Sequence, residues 1–450
     1  MARKRKGVQN LPVLEPNAAG ADVGAREIYV AVPADRDAEP IRCFNTFTPD
    51  LEALADWLES CGIRTVAMES TGVYWIPLFQ ILEKRGIEAH LVNARHVKNV
   101  PGRKSDVADC QWLQYLHSVG LLRGSFRPSQ EICAVRSLWR HRDSLIQMAS
   151  VHLQHMQKAL DQMNLQIHHV ISDLAGTTGL AIMDAILAGE RDPKKLADLR
   201  DWRIRASEST IVKSLVGDYR DEHLFTLRQS LVAYRHYQRL IAEVDEKVKQ
   251  LLSELPAQVD PDEKPIPKAR NPRKSPWRNE PDGLREDLYR AFGVDLTQVP
   301  GIDSLTAQRL LTEIGPSLSA FPNVTTFASW LRLCPDKRVS GGKVLSSRTG
   351  PTKNRATVAL RMAAQALHRS ETFLGEYYRR TRARLGAPKA ITAAAHKLAR
   401  IVYHLLSTRQ PYDESIFIEQ EIRFRKRKEA RLRAQARELG FQLVPVGLGA

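Results

Sequence analysis

Four acidic residues stand out by type and spacing: Asp22, Glu69, Asp106 and Asp109. The last two lie three apart in "RKSDVADCQWL". This stretch reads as helix, which puts both on one face with Cβ atoms about 5–6 Å apart. Glu69 ends the apolar run "TVAME", and Asp22 sits in "GADVGAREIYVAV". Taken singly, each has a plain explanation. Asp109 reads as a solvated helix residue, Asp106 as a charge favoured by the helix dipole, and Asp22 as a turn residue before Gly24. Brought together, four carboxylates repel one another, and each costs desolvation unless a divalent cation pairs them. Oxygen-only ligands suit Mg²⁺ or Mn²⁺, which keep positions open for phosphate oxygens and water. Two such ions about 3.5–4 Å apart stabilise both the attacking and the leaving oxygen of a phosphodiester displacement.

The pattern around these acids indicates what must hold them. Alternating residues predict a strand from Ala21, a second at Glu27–Val32 and a third at Ile41–Phe47. The helical spacing of Leu51, Leu54, Ala55 and Leu58 follows, stopped by Gly62. Then come a strand in "IRTVAMES", a helix in "YWIPLFQILEKRG", a strand in "IEAHLVN" and a helix in "KSDVADCQWLQYLHSVG". Three strands followed by alternating units predict a mixed sheet with helices on its faces. In that order the first and fourth strands can be neighbours, so Asp22 and Glu69 can face one helix.

The rest of the chain reads as helical. Residues 128–255 hold two long runs without proline, at about 130–170 and 222–255, that suit a coiled coil or a bundle. They could pack on each other or on a partner. Residues 256–283 are rich in proline and charge and read as a linker or insertion. A helical region spans 284–407, and a basic helix and tail fill 408–450. With the basic arm at 1–19 and the sheet region at 20–127, the expected fold class is α/β plus all-α. A length of 450 residues fits two or three domains.

Lysine and arginine number 67 against 51 acids, a formal charge of +16. That balance favours a polyanionic partner, most often nucleic acid. Five scattered cysteines form no CxxC pair, which argues against a structural zinc site and a disulfide framework and fits a reducing cytoplasm. No apolar stretch is long enough to span a membrane, and "MARKRKGVQN" lacks the apolar segment of a secretory signal. His152 and His155 share a helix face with no cysteine beside them, and the adjacent His168 and His169 are expected to point apart.

Two C-terminal stretches carry further signals. "LTQVPGIDSLTAQRLLTEIG" reads as a Pro-Gly hairpin at a helix start, which suits phosphate binding and plain packing equally. "CPDKRVSGGKVLSSRTGPTKNRATVAL" reads as a basic, glycine-bearing loop running into an apolar helix. Its Lys337, Arg338, Lys343, Arg348, Lys353 and Arg355 are candidate phosphate contacts. So are Arg103 and Lys104 beside the acids, and Arg425, Lys426, Arg427 and Lys428 of the last helix. By residue type alone, Ser340 in this stretch reads as a loop residue.

The segments "DVGAREIYVAV", "MESTGVYW", "VNARHVKNVPGRKSDVADCQWL", "VPGIDSLTAQRLLTEIG" and "ASWLRLCPDKRVSGGK" resemble the DEDD-type transposases of bacterial insertion sequences, the bridge-RNA-guided recombinases. The resemblance implies an N-terminal RuvC-like domain of RNase H fold, and each acid falls where such a sheet needs it. It implies Asp22, Glu69, Asp106 and Asp109 as the catalytic Mg²⁺ (or Mn²⁺) ligands. It also implies a C-terminal transposase domain in which Ser340 forms a covalent phosphoserine with DNA; Ser346 and Ser347 are nearby alternatives. Further implied are a guide RNA, donor and target DNA, and a homo-oligomer, dimer or tetramer, with acids and serine from different protomers. Ala25 departs from the pattern, since relatives usually carry lysine after "DVG", and this bears on a local phosphate contact rather than on the carboxylates. The alternatives are a metal-dependent, structure-specific endonuclease such as a Holliday-junction resolvase, which needs only the acids, and a non-catalytic nucleic-acid-binding protein.

Overall fold

The computed structural model describes residues 11–69, 72–92, 106–270, 280–336 and 338–442, except the side chains of 106–108, 338, 418–421, 423–425 and 428. By internal packing the chain divides into two compact units, Met1–Arg127 and Pro128–Ala450.

The first unit holds a five-stranded sheet in the order β3-β2-β1-β4-β5. Its strands are β1 (Ala18–Val23), β2 (Glu27–Ala31), β3 (Ile41–Asn45), β4 (Thr65–Glu69) and β5 (Glu88–Val92). Antiparallel pairing joins β1, β2 and β3, and parallel pairing joins β1, β4 and β5. Helices α1 (Thr48–Ser60), α2 (Trp75–Lys84) and α3 (Asp106–Ser118) complete the unit. This is the mixed sheet that the pattern predicts and the RNase H-like fold that the resemblance implies, with the first and fourth strands adjacent.

Strand β1 starts three residues earlier than the alternation suggests. Its sequence, Ala-Ala-Gly-Ala-Asp-Val, has poor β-propensity. Packing decides the matter: Ala18, Ala19 and Ala21 are fully buried because helices cover both faces of this central strand. On one face, Ala19, Ala21, Val66, Met68 and Leu91 pack with Leu54 and Leu58 of α1 and with Leu78 and Leu82 of α2. On the other face Ala67 and Val92 pack with Leu113 of α3.

Glycine at position 20 sets how closely α3 can sit. A Cβ there would lie 2.2 Å from the main-chain nitrogen of Gln114 and 2.4 Å from the carbonyl oxygen of Cys110. Gln114 also donates its side-chain amide to the carbonyl of Ala18 at 3.2 Å. At the far end of the helix the buried His117 Nε2 lies 2.9 Å from Thr65 Oγ1, and its ring centroid is 5.0 Å from that of His90.

In the second unit, α4 (Gln130–Gln162) and α8 (Asp221–Glu254) pack against each other. Of the two arrangements open to the long runs, the structure has pairing within the chain. The first run also stops sooner than its pattern suggests: Met163 caps α4, and Asn164 takes a positive φ of 60°. Between the long helices the short α5 (Thr177–Leu187), α6 (Pro193–Asp198) and α7 (Glu208–Ser214) close a core that includes Met156, Leu160, Ile182, Ile186, Ile211 and Leu227. Arg142, only 2% exposed, joins α4 to Asp245 of α8, with one of its two hydrogen bonds at 3.0 Å.

The chain continues through α9 (Leu284–Phe292), α10 (Ser304–Ile314), α11 (Val324–Trp330), strands β6 (Arg338–Ser340) and β7 (Lys343–Ser346), α12 (Arg355–Ala366), α13 (Phe373–Leu385), α14 (Ala387–Thr408) and α15 (Ile418–Glu438). Arg140 of α4 grips Glu313 of α10 through two oxygens, at 2.8 and 2.9 Å. Arg290 of α9 donates to the Leu255 carbonyl at the end of α8, at 2.9 Å. Among the described residues, no helix is long and apolar enough to cross a membrane.

Two outcomes test this account of the first unit. Gly20→Ala should lower stability by about 1–3 kcal/mol, the usual cost of overpacking, because the clash is with main chain. An unchanged urea midpoint would mean that α3 does not seat on Gly20. Burial, and in smaller measure His90, lowers the pKa of His117 from the ordinary 6.5 to about 4. Between those pH values the unfolded chain takes up a proton that the folded chain refuses. Stability from this group is therefore complete above pH 6.5 and is lost as pH falls toward 4. His117→Gln, uncharged throughout, should show a smaller fall in urea midpoint across that window.

Candidate functional site

Asp22 and Glu69 occupy the carboxyl-terminal ends of the parallel strands β1 and β4. The pairing runs Ala18 with Thr65, Ala19 with Val66, Gly20 with Ala67 and Ala21 with Met68. One step further, the same register sets Asp22 beside Glu69. Alternation along each strand then puts both on the face shared by Gly20, Ala67 and Thr65, the face that α3 covers.

The helix runs against the strands. His117 meets Thr65, Leu113 packs with Ala67 and Val92, and Cys110 sits over Gly20. Each turn toward the start of α3 is a step toward the strand ends that carry Asp22 and Glu69. Asp109 lies on that leading turn, and Asp106 is the first residue of the helix. The Cys110 thiol senses this. Its pKa is pushed up to about 11, first by burial, with smaller contributions from the charges of Asp22 and Asp109. Those two carboxylates therefore act on one sulfur from the strand and from the helix.

Asp22, Glu69 and Asp109 are each partly exposed, which leaves room for a polyanion to approach. The side chain of Asp106 lies outside the described residues, as do Arg103 and Lys104. Among the described residues, no three His, Cys, Asp or Glu side chains stand close enough to hold a metal ion. Asp22 and Glu69 share the strand-end face, and Asp109 stands on the helix that covers it. Their all-oxygen chemistry is that of a magnesium or manganese site, which would draw them together against their mutual repulsion.

The stretch around Ser340, read from sequence as a loop, is instead a β-hairpin. Strands β6 and β7 pair antiparallel, with Ser340 opposite Lys343 and Val339 opposite Val344. Gly341 and Gly342 turn the chain with φ of 55° and 77°. Two successive left-handed residues are what a two-residue hairpin turn requires, and glycine takes them without strain. The main-chain N–H of Asp336 donates to the carbonyl of Arg348 at 2.9 Å, closing the base of the hairpin. Ser340 is exposed beside the turn, as is Ser347 further along, whereas Ser346 is half-buried and its hydroxyl accepts the Arg348 N–H at 3.3 Å.

Lys343, Arg348 and Lys353 are exposed, while Arg355 reaches Asp143 of α4 at 3.4 Å. Lys337 and the side chain of Arg338 lie outside the described residues. On α15, Lys426 and Arg427 are exposed, and the side chains of Arg425 and Lys428 are not described.

Two other motifs resolve as structure. The Pro-Gly turn before α10 is a packing unit: a Cβ on Gly301 would lie 2.5 Å from the Ala363 carbonyl of α12. The helix start behind it is capped by Asp303, which accepts the Thr306 N–H at 2.8 Å, so a carboxylate stands where a phosphate would bind. His168 and His169 do not point apart. In a tight 3₁₀ turn their ring centroids are 4.1 Å apart, and His168 Nδ1 lies 3.2 Å from Asp161. His152 and His155 do share a face, and His152 stacks on Tyr237 of α8.

Sequence reasoning missed the hairpin and the part played by Gly20. The first carried a local signal, a Gly-Gly pair between two short β-prone runs. The second carried none, since only the arrival of α3 makes that glycine necessary.

No curated protein matches the chain. Family models do. Residues 19–165 match a model described as a transposase, the DEDD type of the IS110 group. Residues 295–379 match a model described as the transposase IS116/IS110/IS902 family. The first takes in Asp22, Glu69, Asp106 and Asp109, and the second takes in the hairpin with Ser340. The chain therefore belongs to the IS110-type DEDD transposases, enzymes that move insertion sequences by cutting and rejoining DNA.

Proposed function

We propose that the chain cuts and rejoins DNA through a covalent phosphoserine at Ser340, assisted by a divalent cation held by Asp22, Glu69, Asp106 and Asp109. The observation that carries this reading is the register that sets Asp22 beside Glu69 under the helix bearing the other two acids. A bound Mg²⁺ or Mn²⁺ would neutralise and polarise the oxygens of the scissile phosphate. The Ser340 oxygen then attacks phosphorus and gives up its proton, while the bond to the leaving sugar oxygen breaks and that oxygen is protonated. A sugar hydroxyl of the new strand attacks the phosphoserine in turn, joins the strands and releases the serine hydroxyl. The energy of the phosphodiester is conserved, so rejoining needs no added nucleotide. Lys343, paired across from Ser340, would meet the phosphate charge.

The same reading has a guide RNA specifying donor and target DNA, and a homo-oligomer in which acids and serine of different protomers act on one phosphate in the bacterial cytoplasm. The charge of +16 supports polyanionic partners of this kind.

Glu69→Gln and Asp109→Ala should each reduce Mg²⁺-dependent strand cleavage to background while leaving DNA affinity and thermal stability close to wild type. Cleavage near the wild-type rate in either variant would remove these acids from the site. Ser340→Ala should lose both recombination and any protein–DNA adduct that survives denaturant, yet still bind DNA. Peptide mapping of the wild-type adduct should place the DNA on "VSGGK". Mapping to Ser347 would move the nucleophile, and cleavage by Ser340→Ala with no adduct in wild type would favour a hydrolytic nuclease.

A further inference from the structure

We infer that the hairpin carrying Ser340 is also a wedge: its apolar face, Val339 with Val344, enters the base stack of the bound DNA and unstacks a step beside the attacked phosphate. This rests on the reading of the hairpin as the element that meets DNA.

The hairpin has two chemically different faces. Val339 and Val344 are Cα partners across the ladder, so their side chains lie together on one side. Ser340 and Lys343 are the next partners, and alternation puts them on the other side. The apolar side is uncovered: Val339 is 57% exposed and Val344 60%. An isolated two-stranded ribbon is marginally stable in water, and branched apolar side chains on its open face add nothing to solubility. Their presence implies an occupant.

Charge selects the occupant. Residues 337–370 contain eight lysines and arginines and not one aspartate or glutamate. A second copy docking the same hairpin face to face would bring two such segments together, with no acid in either to relieve the repulsion. A polyanion with an apolar interior has the opposite character, and duplex DNA is one: phosphates outside, stacked bases within. Aliphatic side chains inserted between base steps, flanked by basic residues on the backbone, are an established way to kink a duplex. The tight Gly341-Gly342 turn makes the tip narrow enough to enter a groove, and Ser340 on the opposite face is left toward the backbone.

The test separates this inference from the chemistry of Ser340. Full-length Ser340→Ala protein, which cannot attack, is mixed with short duplexes carrying 2-aminopurine at flexible pyrimidine–purine steps. Binding should raise the 2-aminopurine emission severalfold. Adding Val339→Ser and Val344→Ser should abolish the rise while leaving the salt dependence of binding unchanged, since no charge is altered. A duplex already unstacked by a mismatch at that step should restore cleavage to the double serine variant in the Ser340 background. Equal emission with and without the two valines overturns the wedge. So does a change in oligomeric state on Val339→Ser/Val344→Ser in analytical ultracentrifugation, which would assign the face to a second copy. Failure of Ser340→Ala to lose the covalent adduct would defeat the proposed nucleophile while leaving the emission result intact.

Discussion

The contact between α3 and the bare backbone at Gly20 is the constraint on which the acidic site depends. Two of the four carboxylates belong to strands and two to the helix, and they can meet only if the helix lies against the sheet. Any side chain at position 20 would meet main chain on α3 at 2.2 Å. The flanking alanines extend the same logic to the opposite face. A central strand of small residues allows helices to pack closely on both sides, and the sheet then gains its stability from burial rather than from strand propensity.

Below the acids, the contact face of α3 grades from polar to apolar and back again. His117 with Thr65 closes one end, Leu113 with Ala67 and Val92 fills the middle, and Cys110 lies beneath the charged end. A buried neutral histidine and a buried thiol are both groups that resist acquiring charge. Of the two, only Cys110 stands between the apolar core and the acids, which a sheet tolerates at a strand end open to solvent and cations but not in its interior.

The second unit meets a different demand. It presents a small, exposed, basic ribbon from a helical body whose helices are joined by charged pairs. The buried pair of Arg142 with Asp245 ties the long helices together, and Arg140 with Glu313 ties one of them to the C-terminal helices. Desolvation or solvent screening offsets much of the attraction in such pairs, so they join the helices at a small net gain in stability. Asp143, reached by Arg309 and Arg355, does the same where α10 and α12 approach α4. The acid-free run from 337 to 370 thus keeps only Arg355, at its helical end, in a described ion pair with the body, and the exposed Lys343, Arg348 and Lys353 face solvent.

The order of strands and helices in the first unit, the two long helices and the positions of the four acids on their elements were all legible in the sequence. Period-two and period-3.6 patterns, glycine stops and the three-residue spacing of Asp106 and Asp109 are local, and local pattern reports local structure. The start of β1 was not legible, because Ala18 and Ala19 extend only where helices bury them on both sides. Nor was the partner of the long helices, since an apolar stripe specifies that it must be covered and not by which chain. The Gly-Gly turn could have been read as a hairpin, but three- and four-residue strands give too few alternations to set it apart from a loop. The single face shared by Asp22 and Glu69 rests on a register between strands over forty residues apart, fixed when β1 and β4 pair, and no spacing along the chain encodes it.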